Sequence, residues 1–264
     1  MQVTYIGHAT LLLEIAGRRF LTDPNFDPAL GRMAIGNRLA RVSAPGIALG
    51  DLPRLDAILV THAHADHLSF TSLNALPRGI PIFAPPPIAE WLRRLGYPDA
   101  TAIAAGASAD VHGLTLTAAP ALHQGSRYGL DRWRSAANMY FLDTGSVSCF
   151  FAGDTALDAR IESYLRSCLA TRRLDVAMLP IGYAPWWKFG FRRGHLTSED
   201  ALSLFELLDA RYLIPYHWGT FHHVTSSAFD AIERFRVLIE GHQRGRDARI
   251  LEPGETFDLL LESE

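Results

Sequence analysis

Three histidines and one aspartate lie within six residues of the segment VTHAHADHLSF at 60–70, namely His62, His64, Asp66 and His67. Imidazole nitrogens and carboxylate oxygens are common ligands of divalent metal ions such as zinc. Because side chains alternate along an extended segment, His62 and His64 can point the same way, while a turn could aim Asp66 and His67 at a neighbouring position. Four ligands from six residues rarely converge on one ion, so this spacing favours two adjacent metal sites.

One loop cannot complete two coordination shells, so further ligands must come from elsewhere in the chain. The candidates are His123 in APALHQG, Asp154 in FFAGDT and His217 in IPYHWGTF, each of which follows a predicted strand. Each has an ordinary alternative, because a lone histidine at a strand end can be structural and an aspartate before a helix can be an N-cap. Their shared position at strand ends, where rigid scaffolds place chemistry, favours the ligand role.

Apolar patterning predicts the elements that must position these side chains. Strands are predicted within 3–6, 10–16, 18–24, 57–60, 80–85, 113–122, 136–145, 146–155, 174–182, 211–221, 249–254 and 255–262. Helices are predicted within 69–76, 86–96, 158–170, 198–210 and 228–242, and a loop with short helical pieces over 27–50. The pattern indicates one α/β or α+β domain over 1–264, with two sheets between layers of helices.

The composition is that of an ordinary soluble globular protein, with 48% hydrophobic and 20% charged residues in a chain of 264. The net charge of −3 gives no electrostatic footprint for nucleic acid. We find no segment that approaches the ~20 apolar residues of a membrane-spanning helix, and no basic start typical of a signal peptide. The two cysteines lack CxxC spacing, which is typical of reduced thiols, so we expect a cytoplasmic protein.

Several further short motifs accompany the histidine loop in a fixed order: IGHAT at 6–10, LTDPNF at 21–26, HQGSR at 123–127, GDT at 153–155, GHLTSEDA at 194–201 and HWGTF at 217–221. With HAHADH at 62–67, this set resembles the metallo-β-lactamase superfamily over essentially the whole chain. In particular, it resembles the branch that contains N-acylphosphatidylethanolamine-hydrolysing phospholipase D and its UlaG-like bacterial relatives.

The resemblance implies a four-layer αββα sandwich with two metal ions at one edge of its sheets. It divides the candidate ligands between two zinc ions bridged by Asp154: His62, His64 and His123 for the first ion, Asp66, His67 and His217 for the second. His195 in GHLTSEDA matches a further active-site histidine of the branch. His8 and Asp23 fall in matching motifs and could form a second shell that orients the ligands, although buried hydrogen bonding near the sheet ends explains them equally well.

The reaction expected of such a centre is hydrolysis by a metal-bridging hydroxide, which two divalent ions activate at neutral pH. Zinc is the expected metal, with Mn²⁺ and Fe²⁺ as alternatives. Asp66 would help to orient the hydroxide, and His195 would bind the anionic oxygen of the substrate or protonate the leaving group. A diiron redox centre is disfavoured, because that branch typically carries glutamate at the position of His64 and an appended flavin domain.

The resemblance favours a phosphodiester substrate, either a small molecule or a lipid. Hydrolysis of a lactone, another carboxylic ester, a thioester or a cyclic phosphate, as in UlaG-like relatives, is the alternative, followed by a non-catalytic, metal-binding regulatory role. The motif-bearing core begins almost at Met1. We therefore expect no N-terminal extension that could build a membrane-binding surface, which argues against a lipid substrate.

Two kinds of side chain are candidates for substrate contacts. Arginines near the motif loops, Arg127 among them, could bind a phosphate bidentately. The segment PWWKFGFRR at 185–193 carries Trp186 and Trp187 and leads directly to His195. It could form a lid, an acyl-chain wall, a peripheral membrane contact, or an interface packed on the core or on another subunit of a homo-oligomer.

Overall fold

Two β-sheets form the centre of the protein, whose computed structural model describes residues 1–30, 39–127, 136–169, 173–188, 190–222 and 227–260. Seven strands form the first sheet: β1 (Gln2–Gly7), β2 (Thr10–Ile15), β3 (Arg18–Thr22), β6 (Ala57–Leu59), β7 (Ile82–Ala84), β8 (Ala100–Ala102) and β15 (Thr256–Asp258). Their spatial order is β15-β1-β2-β3-β6-β7-β8. The strands β15, β1, β2 and β3 pair antiparallel, and β3, β6, β7 and β8 pair parallel.

The second sheet has the same combination of antiparallel and parallel pairing. Its strands are β9 (Ser108–Val111), β10 (Leu114–Pro120), β11 (Asn138–Asp143), β12 (Ser148–Phe151), β13 (Val176–Pro180) and β14 (Tyr212–Tyr216). They lie in the order β14-β13-β12-β11-β10-β9, antiparallel from β9 to β12 and parallel from β12 to β14. A separate two-stranded sheet consists of β4 (Ala29–Leu30) and β5 (Leu39–Ala40).

Helices cover the outer faces of both sheets. They are α1 (Phe70–Ala75), α2 (Pro86–Arg94), α3 (Ala159–Leu169), α4 (Ser198–Leu208) and α5 (Asp230–Glu240), with 3₁₀ turns at Leu49–Asp51, Phe191–Arg193 and Gly245–Asp247. The helices α1 and α2 bury Leu73 and Leu92 in a cluster with side chains of the first sheet. The helices α3, α4 and α5 belong instead to the larger cluster that contains the second sheet. The predicted αββα sandwich is thereby confirmed.

The core between the sheets is continuous and apolar. Phe20 of the first sheet and Phe141 and Phe150 of the second lie in one buried cluster, and each is at most 1% exposed. Strands buried on both faces are nearly continuously apolar, which explains why segments such as TLLLEI and VAMLP show little alternation. None of the described helices combines the length and the apolar character required to cross a bilayer.

Strand direction brings the chemically active loops to one edge of the sandwich. Parallel pairing aligns β3 with β6 in the first sheet and β12 with β13 and β14 in the second. Since two successive antiparallel pairings restore direction, β1 runs the same way as β3, and β10 the same way as β12. The segments that follow β1, β3, β6, β10, β12, β13 and β14 therefore leave each sheet at a common edge.

The secondary structure differs from the prediction in three places. Residues 249–254 were predicted as a strand but are not paired as one, although Arg249 N donates to Leu213 O at 2.7 Å. The short strands β8 and β9 were not predicted, because half-exposed segments such as ATA carry no apolar pattern. The predicted loop at 27–50 contains the strands β4 and β5 in its described part.

Candidate metal centre

Two groups of metal-ligand atoms converge at the edge where these loops meet. The first donor cluster consists of His62, His64, His123 and Asp154; the second donor cluster consists of His8, Asp66, His67 and His217. Within each cluster the candidate ligand atoms all lie within 4.8 Å of one another. The structure thus brings together all seven residues predicted as ligands, and it adds His8 to the second group.

In the first donor cluster, three imidazole nitrogens meet around one point. His64 Nδ1 lies 3.1 Å from His62 Nε2 and 3.1 Å from His123 Nε2. Asp154 Oδ2 is 3.9 Å from His62 Nε2 and 4.0 Å from His123 Nε2. Ligand atoms around a tetrahedral zinc ion lie roughly 3.3 Å apart, given bonds of about 2.05 Å, so this cluster has the dimensions that suit one ion.

The second donor cluster is built around the Asp66 carboxylate. Its Oδ2 atom lies 3.7 Å from His67 Nε2 and 3.8 Å from His217 Nε2. His8 Nε2 contacts the same oxygen at 2.9 Å, and the His8 ring lies against the His217 ring with 3.9 Å between centroids. His8 therefore contacts the carboxylate oxygen that also lies nearest His67 and His217, and its orienting role stays a prediction.

Asp154 lies between the two clusters and is only 2% exposed. Its Oδ2 atom is 3.3 Å from His67 Nε2, and its Oδ1 atom is 3.4 Å from His217 Nε2. Three buried atoms at this junction, His67 Nε2, His217 Nε2 and Asp154 Oδ1, have no hydrogen-bond partner. Buried polar atoms without partners are costly. Three lone-pair donors left in this state at one place fit a divalent cation.

Hydrogen bonds behind the ligands fix which imidazole nitrogen faces the centre. Asp23 accepts from His67 Nδ1 at 2.8 Å and from the Thr61 hydroxyl at 2.6 Å. Because that hydroxyl donates to Asp23, it accepts from His62 Nδ1 at 3.0 Å. His123 Nδ1 likewise donates to the carbonyl of Gly194 at 2.7 Å. These contacts place a proton on Nδ1 of all three histidines, so Nε2 is the nitrogen that each turns toward the centre.

Three residues of the centre adopt a backbone conformation that favours glycine. His8, Asp23 and His217 have φ angles of +57°, +34° and +73°. Non-glycine residues in this left-handed region cost of order 1 kcal/mol or more and persist where the surrounding contacts require them. Here each unusual angle lies directly after a strand and turns a side chain into the centre or toward its supporting network.

Burial and mutual repulsion keep most of the histidines neutral. Burial lowers the pKa of His123 to about 4 and holds the pKa values of His62 and His217 well below the usual range. His67 differs: burial acts to lower its pKa, but the carboxylates of Asp154 and Asp66 raise it well above the usual range. Burial alone would raise the pKa of Asp154, yet the neighbouring His217 and His67 hold it well below its ordinary value. Neutral imidazole and ionised carboxylate are the metal-binding forms.

His195 lies on the open side of the centre, in the loop between β13 and α4. Its Nε2 atom is 3.5 Å from Asp154 Oδ2, and its side chain is 34% exposed. Its Nδ1 atom lies 3.3 Å from the Phe191 carbonyl, and its ring stacks on the Phe191 ring. Nε2 is thus the nitrogen that a substrate on the centre would meet.

The residues predicted to contact the substrate, Arg127, Trp186 and Trp187, are not members of either donor cluster. Arg127 Nη1 donates to the carbonyls of Ala63 and Leu68 at 3.1 and 2.7 Å, so its guanidinium braces the histidine loop from within. These contacts give Nη1 a positioning role, and phosphate binding by Arg127 stays a prediction. Trp186 is 83% exposed and Trp187 is 40% exposed, so neither indole is packed in the core.

Two supporting groups were not predicted from the sequence. Thr61 links His62 to Asp23, and the Gly194 carbonyl orients His123. Thr61 directly precedes the first histidine of THAHADH, and Gly194 directly precedes His195. The sequence could have indicated these two residues only through their positions next to candidate residues. A backbone carbonyl can accept a hydrogen bond from a distant side chain whatever the residue type, so its role cannot be predicted from the sequence.

Comparison with known proteins gives a family model and several relatives. The model described as "Beta-lactamase superfamily domain" matches residues 18–218. A metal-dependent hydrolase of Deinococcus radiodurans is 29% identical over 98% of this chain and 100% of its own length. N-acyl-phosphatidylethanolamine-hydrolyzing phospholipase D 1 of Caenorhabditis elegans is 27% identical over 92% of this chain and 71% of its own length.

The share of the matched protein that this chain covers differs from one match to the next. The chain spans 64% of the length of an uncharacterised Mycobacterium tuberculosis protein to which it is 29% identical. The crystal structure of a possible metal-dependent hydrolase from Veillonella parvula superposes with a TM-score of 0.79 at 23% identity, covering 97% of this chain and 98% of the other. That likeness concerns the fold.

Proposed function

The chain belongs to the beta-lactamase superfamily, and we propose that it is a metal-dependent hydrolase that cleaves phosphodiesters with two zinc ions. The observation that carries the proposal is the position of Asp154, whose carboxylate lies 3.9–4.0 Å from imidazole nitrogens of the first donor cluster and 3.3–3.4 Å from those of the second. One carboxylate between two sets of histidine nitrogens is the arrangement that two adjacent divalent ions require.

The metal chemistry can be stated briefly. Two divalent ions held by the first and second donor clusters would polarise a phosphoryl oxygen and lower the pKa of water for attack. The chain's own contribution is to hold the donors in position: Asp23 fixes the His67 ring, and His8 fixes the Asp66 carboxylate. Asp66, 25% exposed in its side chain, is the cluster carboxylate that a water molecule at the centre can reach.

We assign the proton transfer to the leaving group to His195. Its Nε2 atom faces the centre, while the contact of Nδ1 with the Phe191 carbonyl keeps the ring in that orientation. A proton on Nε2 could pass to the leaving alkoxide as the P–O bond breaks, which is general-acid catalysis. The partial exposure of the ring lets Nε2 exchange its proton with solvent afterwards.

Support for the phosphodiester comes from the Caenorhabditis elegans relative, whose name states that it hydrolyses N-acyl-phosphatidylethanolamine as a phospholipase D. We further propose that the protein works in a reducing compartment such as the cytoplasm, since Cys149 is a buried free thiol and Cys168 a half-buried one.

The experiment is a metal count followed by a substrate panel. The purified protein is analysed for metal by inductively coupled plasma mass spectrometry, then assayed on 4-nitrophenyl phosphodiesters, phospholipids, lactones and thioesters, with and without chelator. We expect about two zinc ions per chain and chelator-sensitive turnover of phosphodiesters. Turnover confined to lactones or thioesters would reject the substrate class, and one bound ion would reject the two-metal centre.

A further inference from the structure

A narrow pocket opens beside the second donor cluster, on the side of the aromatic segment 183–193. Its walls include His8, His217, Phe221, Tyr183, Lys188 and Phe191. The space measures about 30 Å³, which is room for roughly two water molecules. A pocket of this size can admit one small group of a substrate whose reacting bond lies at the metal centre.

One residue gives this pocket its positive charge. Among its described lining residues there is no aspartate, glutamate or arginine, and Lys188 is the one lysine. The lining also includes three residues with hydroxyl groups, Tyr183, Thr220 and Ser227. A small space with cationic and hydroxyl-bearing walls favours an anionic oxygen group over a neutral or cationic one.

Lys188 is held in place by its own segment. It is the single lysine of the chain. Its Nζ atom donates to the Tyr183 carbonyl at 3.0 Å and lies 5.7 Å from the Trp187 ring and 5.8 Å from the Tyr183 and Phe191 rings. Cations within about 6 Å of aromatic rings are stabilised by the ring quadrupoles. The ammonium is thus positioned at the pocket before any ligand arrives, which reduces the entropy that binding must overcome.

We propose that Lys188 is a specificity-determining residue whose ammonium binds a terminal anionic oxygen group, a carboxylate or a phosphate, at the end of the substrate remote from the cleaved bond. The inference rests on the proposed hydrolytic function, because it concerns a second contact of the same substrate. Burial lowers the pKa of Lys188, in keeping with an ammonium partly withdrawn from water, while Asp230 acts in the opposite direction.

The kinetic test uses two 4-nitrophenyl phosphodiesters whose second alcohol ends in a carboxylate or in the matched carboxamide. For the zinc-loaded protein we expect KM to be about tenfold lower for the carboxylate, with similar kcat. Lys188→Met should abolish this preference, and Lys188→Arg should retain most of it. Arg192→Gln is the matched control, because Arg192 lies in the same segment but pairs with Asp200 at 2.8 Å, away from the pocket lining.

A binding measurement keeps the inference testable even if neither ester is cleaved, an outcome that rejects the proposed function. Isothermal titration of 3-phosphonopropanoate and 3-phosphonopropanamide compares two ligands that share a non-hydrolysable phosphonate for the metal centre and differ only at the remote end. We expect about tenfold tighter binding of the carboxylate by the wild type and by Arg192→Gln, and equal binding by Lys188→Met. A carboxylate preference that persists in Lys188→Met, or that is missing from the wild type, would overturn the inference. Equal weakening of both ligands in Lys188→Met would show a purely structural role.

Discussion

The two donor clusters use the same kinds of side chain but differ in which groups lie against one another. In the first, three imidazole nitrogens already lie within hydrogen-bond distance of one another, at 3.1 Å around His64 Nδ1. In the second, His67 Nε2 and His217 Nε2 are buried without a hydrogen-bond partner and face two carboxylates. In the first cluster the imidazoles lie mainly against one another, while in the second they lie against the carboxylates of Asp66 and Asp154.

This difference also sets the protonation of the two clusters. Repulsion is low in the first cluster because burial lowers the pKa values of His62 and His123 and keeps them uncharged. In the second cluster, the carboxylates of Asp154 and Asp66 raise the pKa of His67, so a proton on that ring balances part of their charge. The second cluster therefore depends more strongly on a positive charge, supplied by either a proton or a metal.

The largest effect is expected from a change in the residue that the two clusters share. Asp154→Asn removes a charge that faces donors of both clusters, so we expect both metals to be lost or weakened and hydrolysis to fall by on the order of 10³-fold or more. Metal content by mass spectrometry and kcat/KM measure the two effects. The control is Asp158→Asn, four residues away at the start of α3, where the carboxylate accepts from Ile161 N and pairs with Arg160. Retention of two tightly bound ions in Asp154→Asn would contradict a shared site.

Two variants, each changed in one cluster, test whether the clusters bind metal independently. His64→Asn should empty the first cluster, and His217→Asn the second, so each variant should retain about one metal ion per chain. The clusters remain distinguishable because the ion that stays behind sees different ligands. Cobalt substitution provides the measurement, since its visible absorption depends on the donor set. If either variant loses both ions completely, the two clusters do not bind metal independently.

The hydrogen-bonded network behind the ligands offers a smaller and more selective perturbation. Asp23→Asn changes the acceptor of both His67 Nδ1 and the Thr61 hydroxyl. Thr61→Val removes the hydroxyl between His62 and Asp23 but leaves the contact of Asp23 with His67 in place. Loss of such a partner typically costs about 10–100-fold in metal affinity. We expect Asp23→Asn to weaken both sites, the second more, and Thr61→Val to weaken the first alone. Competition titration with a chromophoric chelator measures each affinity. Equal weakening of both sites by Thr61→Val would contradict a role of Thr61 in the first site alone.

Much of this centre follows from residue type and order. Histidine and aspartate at strand ends identify the donors, because metal chemistry restricts the choice of residue, and seven such positions were named from the sequence. The fold class followed from the same motifs and from apolar patterning. The sequence does not show which strand ends lie at the same edge of a sheet. That follows from the strand pairing, in which β1 runs the same way as β3, and β10 the same way as β12.

The remainder depends on contacts between distant segments, which residue order does not reveal. Arg127 illustrates this point, since an arginine near a motif loop has the right chemistry for phosphate, but its guanidinium donates to the carbonyls of Ala63 and Leu68. The contact of His8 with Asp66 spans 58 positions and depends on the unusual φ of His8. Residues 249–254 have the apolar pattern of a strand, but no strand is formed there, since a strand also requires a partner strand beside it.

The smallest expected effect, and the one most specific to the difference between the clusters, is the pH dependence of stability in the metal-free protein. The folded-state pKa of His123 is about 4, below the ordinary value of 6.5, so its neutral form stabilises the fold above pH 6.5 and this contribution is lost as the pH falls toward 4. From pH 7 to pH 5 this amounts to about 2 kcal/mol. His67 has the opposite sign, because a raised pKa stabilises the fold below pH 6.5 and the contribution disappears as the pH rises through the folded-state value.

The two clusters can therefore be separated by urea unfolding of chelator-treated protein at pH 5, 6, 7 and 8. His123→Asn should make the free energy of unfolding fall less between pH 7 and pH 5 than in the wild type, by about 2 kcal/mol. His67→Asn should make it fall more, because the histidine that gains stability on protonation is gone. Both variants lose a buried side chain, so their absolute stabilities will drop, but the sign of the change in pH dependence does not depend on that loss. The same sign in both variants would mean that the clusters are electrostatically equivalent, and the proton at His67 would then have no special place in the metal-free centre.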